Sequence, residues 1–209
     1  MRQMKNIIAI TACLKRCSVA ISYDEAIHRI NENIDTTTNL AFLLQKLIED
    51  NNLNLRKIDG VITTSGPGSF TGIRTAQSLA KAIALTLKIP SVSINYFDII
   101  EKLTSCKNEN KLITIKADKN QIYFKRIRKN ACDIGISSYE NIITSANLDT
   151  NFALIGDIID EILPYVASYV TEYKKIIDFR DAKYLLNFTD KITNESKIQP
   201  LYINLNPPI

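Results

Sequence analysis

The feature that most constrains the fold of this chain is one stretch, residues 61–74, in which a predicted strand leads through a glycine turn into a predicted helix. The β-branched residues at positions 61–65 favour a strand. The Gly-Pro-Gly that follows at 66–68 predicts a tight turn, because glycine adopts backbone angles that other residues avoid. We therefore expect the rest of the chain to be organised around this strand, turn and helix.

The start and the end of the helix can both be predicted from single residues. Ser69 or Thr71 is expected to cap it by accepting hydrogen bonds from the free N–H groups of its first turn. The helix is then expected to run from about Gly72 to Lys88. It should end there because Pro90 disfavours helical geometry in the residue before it.

Two interpretations of the glycine turn stay open on spacing alone. A strand, a glycine loop and a helix N-terminus form the layout of an anion site, since free N–H groups and the helix dipole favour negative charge. The same layout is also typical of a structural turn with close packing. The stretch lacks the Lys-Ser/Thr pair of a P-loop and the G-x-G-x-x-G of dinucleotide-binding proteins. The candidates for holding a phosphate are Gly66, Gly68, Ser69 and Thr71.

Composition is that of an ordinary globular protein. The chain has 209 residues, of which 45% are hydrophobic and 23% charged, enough for one large domain or two lobes. The net charge of +4 does not by itself imply nucleic-acid binding, and we interpret the basic run at 125–129 as a solvated strand edge. The four cysteines contain no C-x-x-C pair, and the first apolar run is too short for a signal peptide or a membrane span. We expect a cytoplasmic protein without membrane contact.

The first half of the chain alternates between predicted strands and helices. A helix from Thr38 to about Asn51 is predicted because its leucines and Ile48 recur at the helical spacing. The other predicted elements up to residue 105 are strands at 6–10, 18–22, 26–34, 61–65 and 91–94 and a helix at 96–103. This alternation predicts the α/β class.

A polar linker at 105–111 divides the chain into two predicted lobes, 1–105 and a smaller one at 106–209. The second lobe should open with a hairpin across Asp118-Lys119-Asn120, and its last segment could pack back on the first lobe. Its predicted elements are strands at 112–117, 121–127, 152–155 and 201–203, a helix interrupted by Pro164, and a helix at 181–188.

The string Gly-Pro-Gly-Ser-Phe-Thr-Gly-Ile-Arg at 66–74 resembles the signature of the TsaB (YeaZ) family. Several shorter matches extend the resemblance along most of the chain, at 17–20, 117–123, 155–157 and 200–203. The family has an actin-like ATPase fold, so the resemblance implies mixed sheets flanked by helices in two lobes. Asn204 replaces the arginine with which the family's C-terminal motif ends.

Two differences from the family and its relatives affect whether this chain could bind a metal or Mg-ATP. The related catalytic protein, TsaD, holds a metal through a pair of histidines, and this chain has a single histidine, His28. Thr11 stands where the family usually has an aspartate on the first strand, and a hard cation prefers carboxylate oxygens. The resemblance therefore implies no metal site, no cofactor and no tight binding of Mg-ATP.

No catalytic residue is predicted from the remaining polar groups. The hydroxyls of Ser65, Ser69 and Thr71 have no histidine base nearby in sequence. Asp118 and Asp157 could form a carboxylate pair for acid–base work, or each could bind the backbone of its own turn. The thiols of Cys13 and Cys17 flank basic residues that could lower a pKa, but a structural role is also open.

By resemblance, the chain is a non-catalytic subunit that supports a TsaD-like enzyme in the threonylcarbamoylation of adenosine 37 of tRNA. A TsaE-like ATPase belongs to the same system, and this chain is expected to contact tRNA only indirectly, through the complex. The protein alone is expected to form a homodimer. The alternatives are a small actin-like-fold kinase that uses the glycine loop to bind nucleotide phosphate, and a self-associating protein with neither activity.

The family pairs through its two long helices, which points to helix faces for partner contact. The second helix has more apolar residues than one sheet face requires, and Phe42 stands among polar residues on the first. The expected interface residues are Phe42, Thr75, Leu79, Ala80, Ala82 and Thr86. In the alternative, the extra apolar arc packs inside its own lobe and Phe42 is an ordinary exposed residue.

Overall fold

The structure is a computed structural model that describes residues 5–13, 16–32, 40–117, 119–148, 150–176, 178–193, 197–201 and 203. Its residues divide into two compact units. The first combines the chain up to Tyr96 with Arg180–Leu201, and the second is built mainly from Phe97–Phe179. No helix within these described ranges is long and apolar enough to cross a membrane.

The first unit contains a five-stranded mixed sheet in the order β3-β2-β1-β4-β5. Its strands are β1 (Ile7–Cys13), β2 (Arg16–Tyr23), β3 (Ala26–Glu32), β4 (Gly60–Gly66) and β5 (Ser91–Asn95). The first three form an antiparallel meander, and β1, β4 and β5 pair in parallel. Every residue of β1 and β4 is buried, as expected for strands covered on both faces.

Two helices, α1 (Leu40–Asp50) and α2 (Phe70–Leu87), pack on one face of this sheet. The leucine stripe of α1 is buried as its spacing predicts, while the predicted start at Thr38 lies outside the described residues. The opposite face is covered by the returning chain, whose 3₁₀ segment Ala182–Lys191 begins with a hydrogen bond from Ala182 N–H to Ser18 Oγ (2.8 Å).

The second unit contains another five-stranded mixed sheet, in the order β10-β9-β6-β7-β8. Its strands are β6 (Lys111–Lys116), β7 (Gln121–Arg128), β8 (Ala131–Ser138), β9 (Phe152–Gly156) and β10 (Val170–Lys175). Its helices are α3 (Tyr96–Leu103), which belongs to this unit from Phe97 onward, α4 (Ile142–Ser145) and α5 (Ile159–Val166). The α/β class predicted from the sequence is confirmed.

Several predictions for the second half of the chain were wrong. The strands β8 and β10 were not predicted, because both are largely exposed and their sequences lack a clear apolar alternation. Pro164 lies inside α5 and does not break it. The described residues of the predicted 201–203 strand are not in a strand, and Tyr202 lies outside them.

The basic run at 125–129 is not a solvated strand edge. It belongs to β7, which lies between β6 and β8. The Arg126 side chain is completely buried, with its guanidinium 4.9 Å from the centre of the Phe152 ring and Nη2 donating to Thr150 Oγ1 (3.1 Å). The Lys125 ammonium donates to Asp98 and Glu101 of α3.

Candidate partner surface and glycine loop

The glycine loop, residues 65–69, joins β4 to α2 as the sequence predicts. The helix begins at Phe70, two residues earlier than expected, and Ser69 is its N-cap. The Ser69 hydroxyl accepts from Gly72 N–H (3.4 Å), and its carbonyl accepts from Ile73 N–H (2.9 Å). Thr71 is the other predicted cap, but it lies inside the helix, so only Ser69 has the capping role.

Two glycines near this connection are required by packing and by backbone angle. A Cβ atom on Gly72 would lie 2.2 Å from the carbonyl oxygen of Ala12, so α2 can lie this close to β1 only with glycine there. Gly66 has a φ of +106°, and a Cβ atom on it would lie 2.8 Å from the Ile73 side chain. The close-packed turn is therefore sufficient to explain these glycines.

Several polar groups of the loop have partners within the protein. The N–H of Gly66 donates to Thr64 Oγ1 (3.1 Å), and the carbonyl of Ser65 accepts from Leu201 N–H (2.8 Å). The Cys13 thiol lies 3.5 Å from the carbonyl of Pro67. These contacts link the loop to Thr64, to Cys13 of β1 and to Leu201.

Thr11, which stands in place of the family's aspartate, is buried beside another hydroxyl. Its Oγ1 forms a short hydrogen bond with the phenol of Tyr96. Both side chains are almost completely buried, and burial raises the pKa of the Tyr96 phenol well above its usual range. The group at this position is therefore a neutral hydroxyl pair in the core.

The other polar candidates have structural partners. His28 Nδ1 lies 2.8 Å from Asn51 Oδ1. Asp157 accepts from the backbone N–H of Lys116 (2.9 Å), so it binds backbone, although that of β6 and not that of its own turn. Asp118 lies outside the described residues. Burial, with a smaller contribution from Glu32, raises the pKa of the Cys17 thiol, so this thiol is not activated. The described ranges contain no group of three His, Cys, Asp or Glu side chains that could hold a metal.

The exposed side of α2 carries most of the predicted partner residues. We define it as the α2 surface, comprising Phe70, Thr71, Arg74, Thr75, Ser78, Leu79, Ala82, Leu85 and Thr86. Its N-terminal half lines an open groove of about 490 Å³. The Arg74 guanidinium lies over the Phe70 ring, 3.9 Å from its centre.

Large apolar side chains are exposed on both helices. Leu85 is 79% exposed and Phe70 55% exposed, and they lie at opposite ends of the α2 surface. With a rise of 1.5 Å per residue, they are about 22 Å apart along the helix. Phe42 on α1 is 60% exposed, as predicted.

Two side chains of α2 lie elsewhere than expected. Ala80 has no exposed area and belongs to the core, so it is removed from the set of partner residues. Gln77 is buried although its side chain is polar, and its amide donates to the carbonyl of Thr64 (3.1 Å). Sequence reasoning also missed Leu85, although its place between Lys81 and Lys88 on the polar side of the helix could have identified it.

Comparison with known proteins finds similarity to proteins of tRNA threonylcarbamoyladenosine biosynthesis. The family described as "TsaD: tRNA N6-adenosine threonylcarbamoyltransferase" matches residues 35–152 of this chain. A relative from Buchnera aphidicola subsp. Acyrthosiphon pisum (strain APS), named tRNA threonylcarbamoyladenosine biosynthesis protein TsaB, is 29% identical over 224 residues. That alignment covers 97% of both chains.

Solved structures show the same fold at low sequence identity. YeaZ from Pseudomonas aeruginosa superposes with a TM-score of 0.68 at 16% identity, over 96% of this chain and 100% of that one. A Bacteroides thetaiotaomicron protein described as having an actin-like ATPase fold and unknown function gives a TM-score of 0.51 at 7% identity, over 90% and 97% of the two chains. The predicted actin-like ATPase fold is confirmed.

Proposed function

We propose a function from one premise: this chain belongs to the TsaD family and, within it, to the TsaB (YeaZ) proteins. The protein acts in the biosynthesis of threonylcarbamoyladenosine on tRNA, as a non-catalytic subunit that supports a TsaD-type enzyme acting on adenosine 37. The observation that carries this proposal is the match, along 97% of both chains, to a protein named for that biosynthesis.

The way the loop residues are used supports a non-catalytic role. Ser69 is occupied as the cap of α2, and Thr64 holds the N–H of Gly66. Thr11 is bonded to Tyr96 inside the core. The hydroxyls of Thr64 and Ser69 hold the connection between β4 and α2 in place, and the transfer chemistry is left to the TsaD-type enzyme.

The proposed contact with the TsaD-type protein is the α2 surface, together with Phe42 of α1. Leu85 and Phe70 supply two apolar anchors about 22 Å apart, and the exposed cations Arg74 and Lys81 lie between them along the helix. The helix carries no acidic side chain; its cations are Arg74 and Lys81, and Lys88 follows as its C-cap. The complementary surface of the partner is therefore expected to be apolar with acidic groups at its rim.

We propose further partners on the basis of the family resemblance. The protein alone pairs with a second copy through the same two helices, and the TsaD-type protein displaces that copy. A TsaE-type ATPase joins the complex, and tRNA is met through the TsaD-type subunit. The site of action is the cytoplasm, where tRNA is modified.

Binding to the TsaD-type protein of the same organism tests this function. Both proteins would be purified separately, mixed and analysed by calorimetry and by size-exclusion chromatography with light scattering. We expect a stable complex that weakens as salt rises, because the cations of α2 contribute to it. Absence of a complex at every salt concentration, with both proteins folded, would contradict the proposed role.

A further inference from the structure

A short extended piece near the C-terminus, residues 197–201, pairs with the outer edge of β5. We call it the strap. The N–H of Lys197 donates to the carbonyl of Ser91 (2.8 Å), and its own carbonyl accepts from Ser93 N–H (3.1 Å). Gln199 continues the contact, donating from its N–H to Ser93 Oγ (3.1 Å) and accepting at its carbonyl from the same hydroxyl (3.0 Å). Since β5 is the last strand at its side of the sheet, the strap covers an otherwise open edge.

The end of the strap meets the glycine loop. The pairing of β4 with β5 shifts between Thr64 and Gly66, which leaves Ser65 as the extra residue of a bulge. Ser65 is buried, so its carbonyl requires a partner inside the protein. Leu201 N–H is that partner, at 2.8 Å, and the Leu201 carbonyl lies 3.6 Å from the position of a Cβ on Gly66.

The glycine loop in turn fixes the beginning of α2. Ser69 follows the bulge by four residues and caps the helix through Gly72 and Ile73. Phe70, the N-terminal anchor of the α2 surface, is the first residue of the helix. The residue that the strap holds, Ser65, is therefore joined by four residues of chain to the residue that fixes the start of the α2 surface, Ser69.

We propose that the strap is a positioning element for this surface. By occupying the carbonyl of the bulged Ser65, it holds the glycine loop and, through the loop, the first turn of α2 with Phe70. Its consequence for partner binding rests on the proposed function, because that function assigns the α2 surface to the TsaD-type protein. Displacement of the strap would loosen the start of α2 without unfolding the sheet, so the C-terminal segment is a point at which partner affinity can be regulated.

Hydrogen exchange in the full-length protein tests the positioning role directly. In Leu201→Pro the N–H that Ser65 requires is absent, whereas Leu201→Ala keeps that N–H and shortens only the side chain. We expect the amides of Gly66, Gly72 and Ile73 to exchange about 5- to 30-fold faster in the proline variant than in the alanine variant. Amides of β6 and β7 in the second unit are the internal control and should not change.

A second variant covers the case in which Leu201→Pro does not fold. Ser93→Ala removes both hydrogen bonds to Gln199 and should accelerate the same loop amides to a smaller degree. If the loop amides exchange at the wild-type rate in every folded variant, and faster exchange is confined to β5, the strap only covers the edge of the sheet. That result would overturn the proposal.

Binding to the TsaD-type protein separates this proposal from the function on which it rests. We expect Leu201→Pro to weaken binding several-fold and Leu201→Ala to leave it near the wild-type value. Wild-type protein that does not bind at all would contradict the proposed function, while the exchange result would still decide the role of the strap. Equal affinity of wild type and Leu201→Pro, despite loosened loop amides, would overturn the link between strap and partner surface.

Discussion

At Gly72 a hydrogen atom in place of a side chain lets α2 lie directly against the backbone of β1. The nearest atom to a Cβ there, at 2.2 Å, would be the carbonyl oxygen of Ala12 in a completely buried strand. Moving the backbone of either α2 or β1 to make room would cost free energy. The family signature at residues 66–74 thus has a packing explanation at Gly72 and a conformational one at Gly66.

Gly72→Ala should therefore destabilise the protein, although alanine is the better helix former. We expect a loss of about 1–3 kcal/mol in the free energy of unfolding, measured by urea denaturation, because overpacking forces a backbone shift. Ser78→Ala, at an exposed position of the same helix, is the matched control and should change stability little. A Gly72→Ala protein as stable as wild type would show that α2 can move away from β1.

Thr11 leads to a prediction about nucleotide binding. Its hydroxyl is bonded to Tyr96 in the core, and a magnesium ion prefers carboxylate oxygens. We expect the isolated protein to show no micromolar binding of Mg-ATP by calorimetry, and no ATP hydrolysis. Micromolar binding would contradict this and would favour the kinase alternative for the glycine loop.

At the scale of elements, helices and strands with buried, regularly spaced apolar residues could be predicted from the sequence. Exposed strands could not be predicted, and neither could polar side chains that are buried beside distant partners. The leucine stripe of α1 and the glycine-marked start of α2 follow from local sequence. Arg126 could not be predicted as a core residue, because its burial depends on Phe152 and Thr150, which are distant in sequence. Gln77 is buried for a similar reason, since its partner is the backbone of β4.

The α2 surface can be tested by comparing an exposed with a buried position of the same helix. Leu85→Glu should leave the fold intact and weaken binding to the TsaD-type protein about 10-fold or more, because it places a charge on an apolar contact. Phe42→Glu on α1 should act in the same direction. Ala80→Glu is the contrast, since it buries a charge in the core and should instead unfold or aggregate the protein.

Circular dichroism and binding measurements together distinguish these cases. If Leu85→Glu and Phe42→Glu are both folded and both bind like wild type, the interface lies elsewhere on the protein.

The ion pairs of Lys125 on β7 with Asp98 and Glu101 on α3 predict that the stability of the protein depends on pH. Burial disfavours the charge on Lys125, but hydrogen bonds and Coulombic attraction from Glu101 and Asp98 outweigh this and raise the pKa of the Lys125 ammonium. Because the pKa is raised in the folded state, the stabilisation is complete below the ordinary lysine value of 10.5 and is lost as the pH rises through the folded pKa.

Urea unfolding of wild type and Lys125→Met between pH 8 and pH 11 measures this effect. We expect wild type to be the more stable at pH 8, and the difference to shrink toward pH 11 as Lys125 loses its proton. A difference that stays constant or grows over this range would contradict the assignment. The comparison cancels the ionisation of tyrosines, which both proteins share.

At the scale of the whole molecule, the described residues form two units, each with a five-stranded mixed sheet and helices. The fold is that of actin-like ATPases, while the residues at the glycine loop hold structure together. The exposed Leu85 and Phe70 on α2 fit the proposed role as a supporting subunit. The family relationship assigns the chain to the biosynthesis of threonylcarbamoyladenosine on tRNA.

The most direct test of this conclusion is the threonylcarbamoyladenosine content of tRNA in the native cell. The protein would be depleted, and the nucleosides of digested tRNA would be quantified by mass spectrometry. Rescue strains would express wild type, Leu85→Glu or Lys129→Ala, an exposed control position outside both helices. We predict that depletion lowers the modified nucleoside, that wild type and Lys129→Ala restore it, and that Leu85→Glu does not. Unchanged threonylcarbamoyladenosine after depletion would contradict the function and leave only the fold.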